Sequence, residues 1–316
     1  MLGFVVRRVL QAVPLLLLIS VLVFALIHAA PGGPLEMYLA NPNVRPEDIE
    51  RLRVALGLDR PIAEQYVAWL KGFIVGEWGY SFTDGRPVLQ RLLERLPATL
   101  ELIASAVVVA ALVALPLGVF GALRKGGWVD HTTTVVSFAG ISLPVFWVGL
   151  LLQLVFAVAL GWLPSSGRAS FGDGNLPDRL SHLIMPAVVL AAVHAAAWSR
   201  FLRSSMGTAV QQRFILAARA RGIQERRVVW WHALRNALLP FVTVLMMDAA
   251  IMVTGAVITE SVFAWPGLGS LFTEALARRD YTVLMAFLMM TSAAVVFLNL
   301  AADVFYHALD PRVRVR

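Results

Sequence analysis

The sequence predicts an all-α integral membrane protein, a bundle of helices that cross the bilayer. Hydrophobic residues make up 59% of the 316 residues and charged residues only 15%, which is outside the usual range of soluble domains. Apolar runs long enough to cross about 30 Å of hydrocarbon recur along the chain. Helices are expected because the runs lack strand-like alternation and a helix pairs its own backbone polar groups in lipid.

Six of these runs are predicted to span the membrane. The third is long enough to tilt or to bend at Pro144, and the fifth is interrupted by the acidic residue Asp248. The predicted spans are Val9–Ala30, Leu102–Leu123, Thr132–Leu163, Leu183–Ser199, Ala237–Thr259 and Tyr281–Ala302. The first run is too long for a cleavable signal peptide and is followed by PGGP, so we expect it to be a membrane helix.

The cations between the spans predict that both termini are cytoplasmic. With this orientation, fifteen Lys and Arg residues lie on the cytoplasmic side and four lie in the two short loops on the other side. Segment 31–97 is too long to count under the positive-inside rule.

Segment 31–97 has a helical organisation of its own. Pro46 and Glu47 predict the start of an amphipathic helix, Gly57 its end, and Pro61 the start of a second one. Two interpretations are open, packing over the bundle or a docking surface for an extracytoplasmic protein.

We divide the chain into 1–97, the first span with this segment, and 98–316, a core of five helices.

Patterns for catalysis, nucleotide binding and metal binding are missing from the sequence. The chain has no Cys, no P-loop sequence GxxxxGK[ST] and no HExxH motif, and GISL at 140–143 is not a GxSxG serine elbow. The six His residues are spread singly and are expected to be packed or interfacial. We predict no catalytic residue, no metal and no cofactor on this chain. Energy for uphill transport must then come from an ion gradient or from another chain.

The loop 204–237 concentrates positive charge between two apolar spans. FILAARAR predicts a helix, Gly222 its end, and QERRVVWWHALRNALLP the start of another helix. On composition alone a solvated face and a docking surface are both open, with small alanines allowing close approach and arginines offering bidentate hydrogen bonds. The cations of residues 213–235 are Arg213, Arg219, Arg221, Arg226, Arg227 and Arg235, against Glu225 alone.

The pattern of this loop resembles the EAA motif of ABC importer permeases. Leu216, Ala217 and Ala218, then three residues and Gly222, match the motif, and the whole stretch is similar to its version in the dipeptide, oligopeptide and nickel branch. Leu216 stands where the general motif has Glu, and Pro240 lies farther from the glycine than in sugar permeases. Both departures fit the peptide branch.

Other motifs extend the resemblance over nearly the whole chain. ESVFAWPGLG at 260–269, RRDY at 278–281 and NLAADVFYHALDPRVR at 299–314 are similar to the same branch. The single long span followed by PGGP, LGLDRPIAEQYVAWL and GEWGYS resembles the N-terminal region of the first dipeptide permease type.

The resemblance implies a type I ABC importer permease fold and a set of partners. These are a second, related permease, two cytoplasmic ATPases that use ATP and Mg²⁺, and an extracytoplasmic solute-binding protein. The permease pair can be a hetero-dimer or a homo-dimer, and the resemblance to one subunit type favours the hetero-dimer. It places the chain in the cytoplasmic (inner) membrane of a prokaryote. The residues implied to couple the chain to an ATPase are Ala217, Ala218, Arg219, Arg221, Gly222, Glu225 and Arg226.

Asp248 is the candidate for the solute path. A charge near the middle of a span usually faces a cavity or a partner rather than lipid. It either meets a cationic group such as a peptide amine or makes a structural hydrogen bond to the neighbouring permease subunit. Glu260 and Asp303, nearer the ends of spans, are expected to anchor or to support a gate.

The WPGLG turn is predicted at the outer end between the last two spans. Pro266, Gly267 and Gly269 predict a tight break, and Trp265 suits the level of the lipid headgroups. With Glu260 these residues form the candidate outer-gate scaffold, although a purely structural role is also open. LFTEALARR then predicts a short helix.

The expected function is import of dipeptides or oligopeptides by a complex that hydrolyses ATP. A nickel chelate or a glutathione-like compound is the alternative substrate. A stand-alone secondary transporter or channel is the more distant alternative, since the spans hold no chain of carboxylates for ion coupling. A membrane-embedded enzyme has no recognisable catalytic constellation.

Overall fold

A computed structural model describes residues 2–29, 45–55, 57–124, 126–128, 135, 142–172 and 174–309. These residues are mostly helical, and their β pairing is limited to one bridge between Tyr80 and Pro87. The helices named below are α1 (Leu2–Ala29), α2 (Pro46–Ala55), α3 (Ile62–Val75), α4 (Val88–Leu123), α5 (Val145–Leu152), α6 (Leu176–Val210), α7 (Arg213–Ala220), α8 (Leu234–Val262), α9 (Leu268–Ala277) and α10 (Tyr281–Leu309).

Five helical stretches among the described residues are long and apolar enough to cross a membrane. They are Val6–Ala29, Val88–Leu123, Leu176–Val210, Glu225–Val253 and Tyr281–Val304. The predicted class is therefore confirmed, an all-α protein with several candidate membrane spans.

The predicted third span is described only in part. Residues 132–134 and 136–141 lie outside the described residues. Pro144 is extended, with φ of −60° and ψ of 131°, and α5 begins directly after it. A π-helical stretch, Gln153–Ala159, continues α5, so Val145–Ala159 is a short apolar helix. Within the described part, Pro144 starts a helix rather than bending one.

The described residues form two compact units. The first unit holds those within Ala98–Gly269 and Phe297–Arg316, and the second holds those within Leu2–Pro97 and Ser270–Val296. The predicted division into 1–97 and 98–316 stays a prediction.

Small side chains bring α4 and α6 close together in the first unit. Ala106, Ala110 and Ala114 of α4 are fully buried and recur every four residues, so they share one face. Gly118 continues this face, where a Cβ would overlap the side chain of Leu202 on α6. Helices in membranes associate through such small-residue faces because their backbones can then approach closely.

The second unit contains the two predicted helices between the first spans. Gly57, with φ of +66°, follows α2, and Gly76, with φ of +89°, caps α3, which are conformations that favour glycine. Tyr66 of α3 shares a hydrogen bond of 2.8 Å with Ser20 of α1, and its ring lies against Phe24. One face of α3 therefore packs on α1, as the packing interpretation expects. The docking interpretation stays a prediction.

A buried ionic cluster joins α4 to the start of α10 in the second unit. The Ser81 hydroxyl donates to Asp280 Oδ2 at 2.5 Å, and Arg91 NH1 donates to the Ser81 hydroxyl at 2.8 Å. Asp280 is fully buried, and Arg91 lies 3.9 Å from its carboxylate and 3.4 Å from that of Asp84. Although burial acts to raise it, the hydrogen bond from the Arg86 backbone N–H and the charge of Arg91 hold the pKa of Asp84 below its usual value.

We expect Asp280→Ala to destabilise the protein. The substitution leaves buried Arg91 with Asp84 as its remaining carboxylate and removes the acceptor of the Ser81 hydroxyl. The expected cost is about 2–3 kcal/mol of unfolding free energy, seen as a lower melting temperature of the purified protein in detergent. The control is Asp48→Ala, which breaks the exposed Arg45–Asp48 pair and should cost less than about 1 kcal/mol. Equal melting temperatures for the two variants would contradict the role of the cluster.

Candidate functional site

The predicted loop helix lies between two long helices and is fixed by one face. α7 follows α6, and Gly222 comes two residues after it with φ of +72°. This confirms the helix and its end at Gly222, since the left-handed conformation favours glycine. Ile215 and Ala218 are buried in the hydrophobic core of the first unit. α7 is therefore held by its own chain.

The other face of α7 is accessible. Leu216 is 57% exposed, and Ala217 and Ala220 are exposed beside it. We call Leu216, Ala217 and Ala220 the open face of α7. One long apolar side chain between two small ones gives a partner both a contact and room to approach.

A bidentate ion pair closes the turn after α7. Arg219 Nε donates to Glu225 Oε2 at 3.0 Å, and its NH2 donates to Oε1 at 2.5 Å. These hydrogen bonds raise the pKa of Arg219. Both side chains are exposed, so the pair is worth at most about 1 kcal/mol. Arg221 and Arg226 are also exposed. Arg219 and Glu225, two of the predicted coupling residues, bind each other across Gly222.

A π-helical stretch gives the loop a second attachment. Glu225–Arg227 is a helical turn, and Val228–Ala233 continues it as a π-helix that leads into α8. Val228 and Val229 are buried, whereas Trp230 and Trp231 are exposed. The sequence predicts a helix here but does not indicate that it is a π-helix.

The candidate outer-gate scaffold is built on a buried carboxylate. Glu260 is fully buried near the end of α8. The Thr99 hydroxyl donates to Glu260 Oε1 at 2.6 Å, and the Gly269 backbone N–H donates to Oε2 at 2.7 Å. The Leu268 backbone N–H in turn donates to the Thr99 hydroxyl at 2.8 Å. Glu260 therefore holds the turn and α4 together, which agrees with the anchoring role expected for it.

The two glycines of the turn leave room for this carboxylate and for α8. A Cβ at Gly267 would overlap the Glu260 carboxylate, and a Cβ at Gly269 would overlap the Val257 backbone. Pro266 stands directly before Gly267, whose N–H donates to the Trp265 carbonyl at 2.7 Å. The predicted tight break is therefore present.

Trp265 is a core residue of the first unit, and its level in the membrane stays a prediction. It is fully buried, and its indole N–H donates to the Ala98 carbonyl at 2.8 Å. A tryptophan suits either a membrane interface or a core with an acceptor, because it is apolar with one polar group. The carbonyl of Ala98 on α4, in the same core, supplies that acceptor.

Asp248 lies in α8 with two partners from α6 of its own chain. Trp198 Nε1 donates to Asp248 Oδ2 at 2.6 Å. His194 Nδ1 lies 3.9 Å from the same oxygen. Neither partner was predicted, because the sequence indicates the depth of Asp248 but not which helix faces it. The structural alternative for Asp248 named the neighbouring subunit, whereas these partners lie within the chain.

The described histidines have separate surroundings. His182 lies 3.0 Å from the Ser166 carbonyl and His28 lies 2.8 Å from the Phe24 carbonyl. Within the described part of the chain, no three His, Asp or Glu side chains lie close enough to hold a metal ion together.

Comparison with known protein families identifies the family to which this chain belongs. Residues 114–315 match the family described as Binding-protein-dependent transport system inner membrane component, and residues 1–103 match its N-terminal domain. The chain belongs to this family. It is thus the permease subunit of an ABC importer, a multi-pass inner-membrane component of a transporter rather than an enzyme.

Full-length relatives are permeases of peptide transport systems. The permease is 39% identical to the oligopeptide transport system permease protein AppB of Bacillus subtilis (strain 168), over 99% of each chain. It is 36% identical to the di/tripeptide transport system permease protein DppB of Pseudomonas aeruginosa (strain UCBPP-PA14), again over 99% of each. The glutathione transport system permease protein GsiC of Escherichia coli O1:K1 / APEC is 35% identical over 100% of each.

A solved structure shares the fold at low sequence identity. The inward-facing MetNI methionine ABC transporter aligns with a TM-score of 0.59 and 19% identity, over 71% of the permease and 99% of that chain. This likeness confirms the predicted type I ABC importer permease fold.

We expect Gly267→Ala to destabilise the permease, because its Cβ would displace the buried Glu260 carboxylate from its donors. Overpacking of this kind costs about 1–3 kcal/mol, seen as a lower melting temperature in detergent. The matched control is Gly255→Ala on α8, where the new Cβ would lie 3.5 Å from Leu190, an ordinary contact. An unchanged melting temperature for Gly267→Ala would argue against a tightly held carboxylate.

Proposed function

We propose that this permease imports peptides, with ATP hydrolysis on partner subunits coupled to its helices through the loop 204–237. The observation that carries the proposal is the two-sided setting of α7. Ile215 and Ala218 fix one face in the core of the permease, while the open face is accessible. A helix fixed in this way moves with the spans as a rigid element when a partner moves it.

The proposed partners are those that membership of the family suggests, and the geometry of α7 supports one of these contacts. Two cytoplasmic ATPases use ATP and Mg²⁺, and one of them binds the open face together with Arg221 and Arg226. Arg219 and Glu225 keep the turn closed around Gly222 during this contact. A second, related permease completes a hetero-dimer, and an extracytoplasmic binding protein delivers the solute. Both termini are cytoplasmic, which the distribution of cations supports.

Peptides are the proposed substrate class because the relatives named for oligopeptides and for di- and tripeptides align over nearly their whole length. Glutathione, for which the relative GsiC is named, is a second candidate substrate and is itself a tripeptide. Glu260, Trp265, Pro266, Gly267 and Gly269 are proposed to support the outer gate. The hydrogen bonds that Glu260 and Trp265 make with α4 give that gate a fixed base.

We expect Ala217→Cys, labelled with a photoreactive benzophenone maleimide, to cross-link to a P-loop ATPase in the purified complex. The native chain has no Cys, so the permease carries the label at one position when it is labelled before the complex is assembled. The measurement is the mass of the cross-linked product. The control is Ile74→Cys, an exposed position of α3 that is predicted to be extracytoplasmic and should give no such product. Transport by the chain alone, with no ATPase co-purifying, would contradict the proposal.

We expect Gly222→Val to uncouple the transporter. A β-branched residue at φ of +72° is strained by about 1–2 kcal/mol, so the turn after α7 must change. Uptake into proteoliposomes should fall about tenfold, because displacing a well-positioned group lowers a rate by this order. The assembled complex should still hydrolyse ATP. The control is Gly126→Val, at a similar φ of +75° and equally open space. Equal losses in both variants would show general strain rather than uncoupling.

A further inference from the structure

Asp248 lies at the middle of a membrane-spanning helix. It is fourteen residues from each end of α8, Leu234–Val262. At 1.5 Å of rise per residue, this places it about 21 Å from either end of the helix. A carboxylate at such depth is costly unless it faces a cavity or a partner.

The spans of this chain hold no fixed cation to pair with Asp248. None of the six predicted spans contains Lys or Arg, and Asp248 is their single acidic residue. The nearest titratable group is His194, whose Nδ1 lies 3.9 Å from Oδ2. No Lys or Arg of the spans therefore balances the negative charge, and His194 is the titratable partner that the chain itself supplies.

The geometry fixes one oxygen of the carboxylate and leaves the other accessible. Fully buried Trp198 donates to Oδ2, which sets the orientation of the carboxylate. Among the described residues, none donates a hydrogen bond to Oδ1. The side chain is 24% exposed, between the exposed apolar residues Met247 and Ile251 on the same helix. The result is an oriented acceptor in an otherwise apolar wall.

We infer that Asp248 binds the ammonium group of the transported solute, with Trp198 as the positioning residue and His194 beside them. This inference rests on the proposed function. An α-ammonium is common to peptides of every sequence, and a charge-assisted hydrogen bond to Oδ1 would recognise it without reading side chains. A single carboxylate contact also suits a site that must release its ligand.

The test compares two solutes that differ by one group. The probes are L-alanyl-L-alanine and propionyl-L-alanine, which lacks the ammonium, and the measurement is the uptake of each into proteoliposomes with the whole complex and saturating binding protein. In Asp248→Asn the ratio of the two uptake rates should fall about tenfold, the loss expected for a hydrogen bond to a charged group. The binding protein is the same in each assay, so its own preference cancels when the ratios are compared.

Two further variants keep the test decisive. Asp303→Asn makes the same chemical change near the end of α10 and should leave the ratio unchanged. Trp198→Phe keeps the carboxylate but removes its donor, so the ratio should fall, by less than the tenfold expected for Asp248→Asn. If Asp248→Asn does not assemble, an unchanged ratio in Trp198→Phe would overturn the site.

The outcomes separate the inference from the proposed function. Normal uptake with an unchanged ratio in Asp248→Asn would overturn the ammonium site and leave peptide import intact. An equal loss for both probes would mean that Asp248 holds the neighbouring subunit or the fold, and would also overturn it. Uptake of neither probe by the unmodified complex would overturn peptide import and the site with it.

Discussion

The hydrogen-bonded carboxylate of Glu260 is the interaction on which much of the first unit depends. It joins the end of α8 to Thr99 of α4 and to the first residues of α9. A buried carboxylate is stable only when its oxygens are satisfied, so the donors around it must keep their places. The glycines of the turn leave the space that this requires. A single side chain therefore determines how the chain turns between two helices.

The loop 204–237, which contains α7, is also held in place by buried side chains. Ile215 and Ala218 hold the helix to the core, and buried Val228 and Val229 hold the stretch that follows it. The charged residues contribute little to this attachment, because the Arg219–Glu225 pair is exposed. Apolar contacts fix the position of the loop, and its arginines remain at the surface.

Features set by local sequence were predictable, and features set by distant contacts were not. Apolar runs predict spans, and Gly222 and Gly57 predict helix ends, because each depends on nearby residues alone. The pairing of Thr99 with Glu260 joins residues 161 positions apart, and no pattern in the sequence indicates it. Trp265 suits a membrane interface as well as a core, so its burial depends on the acceptor that the fold places at Ala98. The partners of Asp248 were missed for the same reason.

The attachment of α7 to the core has a consequence for control of the transporter. Linkage between two sites is reciprocal, so an element that carries the effect of ATP binding to the spans carries the effect of solute binding back by the same free energy. If α7 couples the spans to an ATPase as proposed, a change among the spans would be felt at its open face, because Ile215 and Ala218 hold the helix to the core. Solute and binding protein on one side of the membrane would thereby set the affinity for nucleotide on the other. The buried half of a short helix would let an ATPase respond to cargo that it never touches.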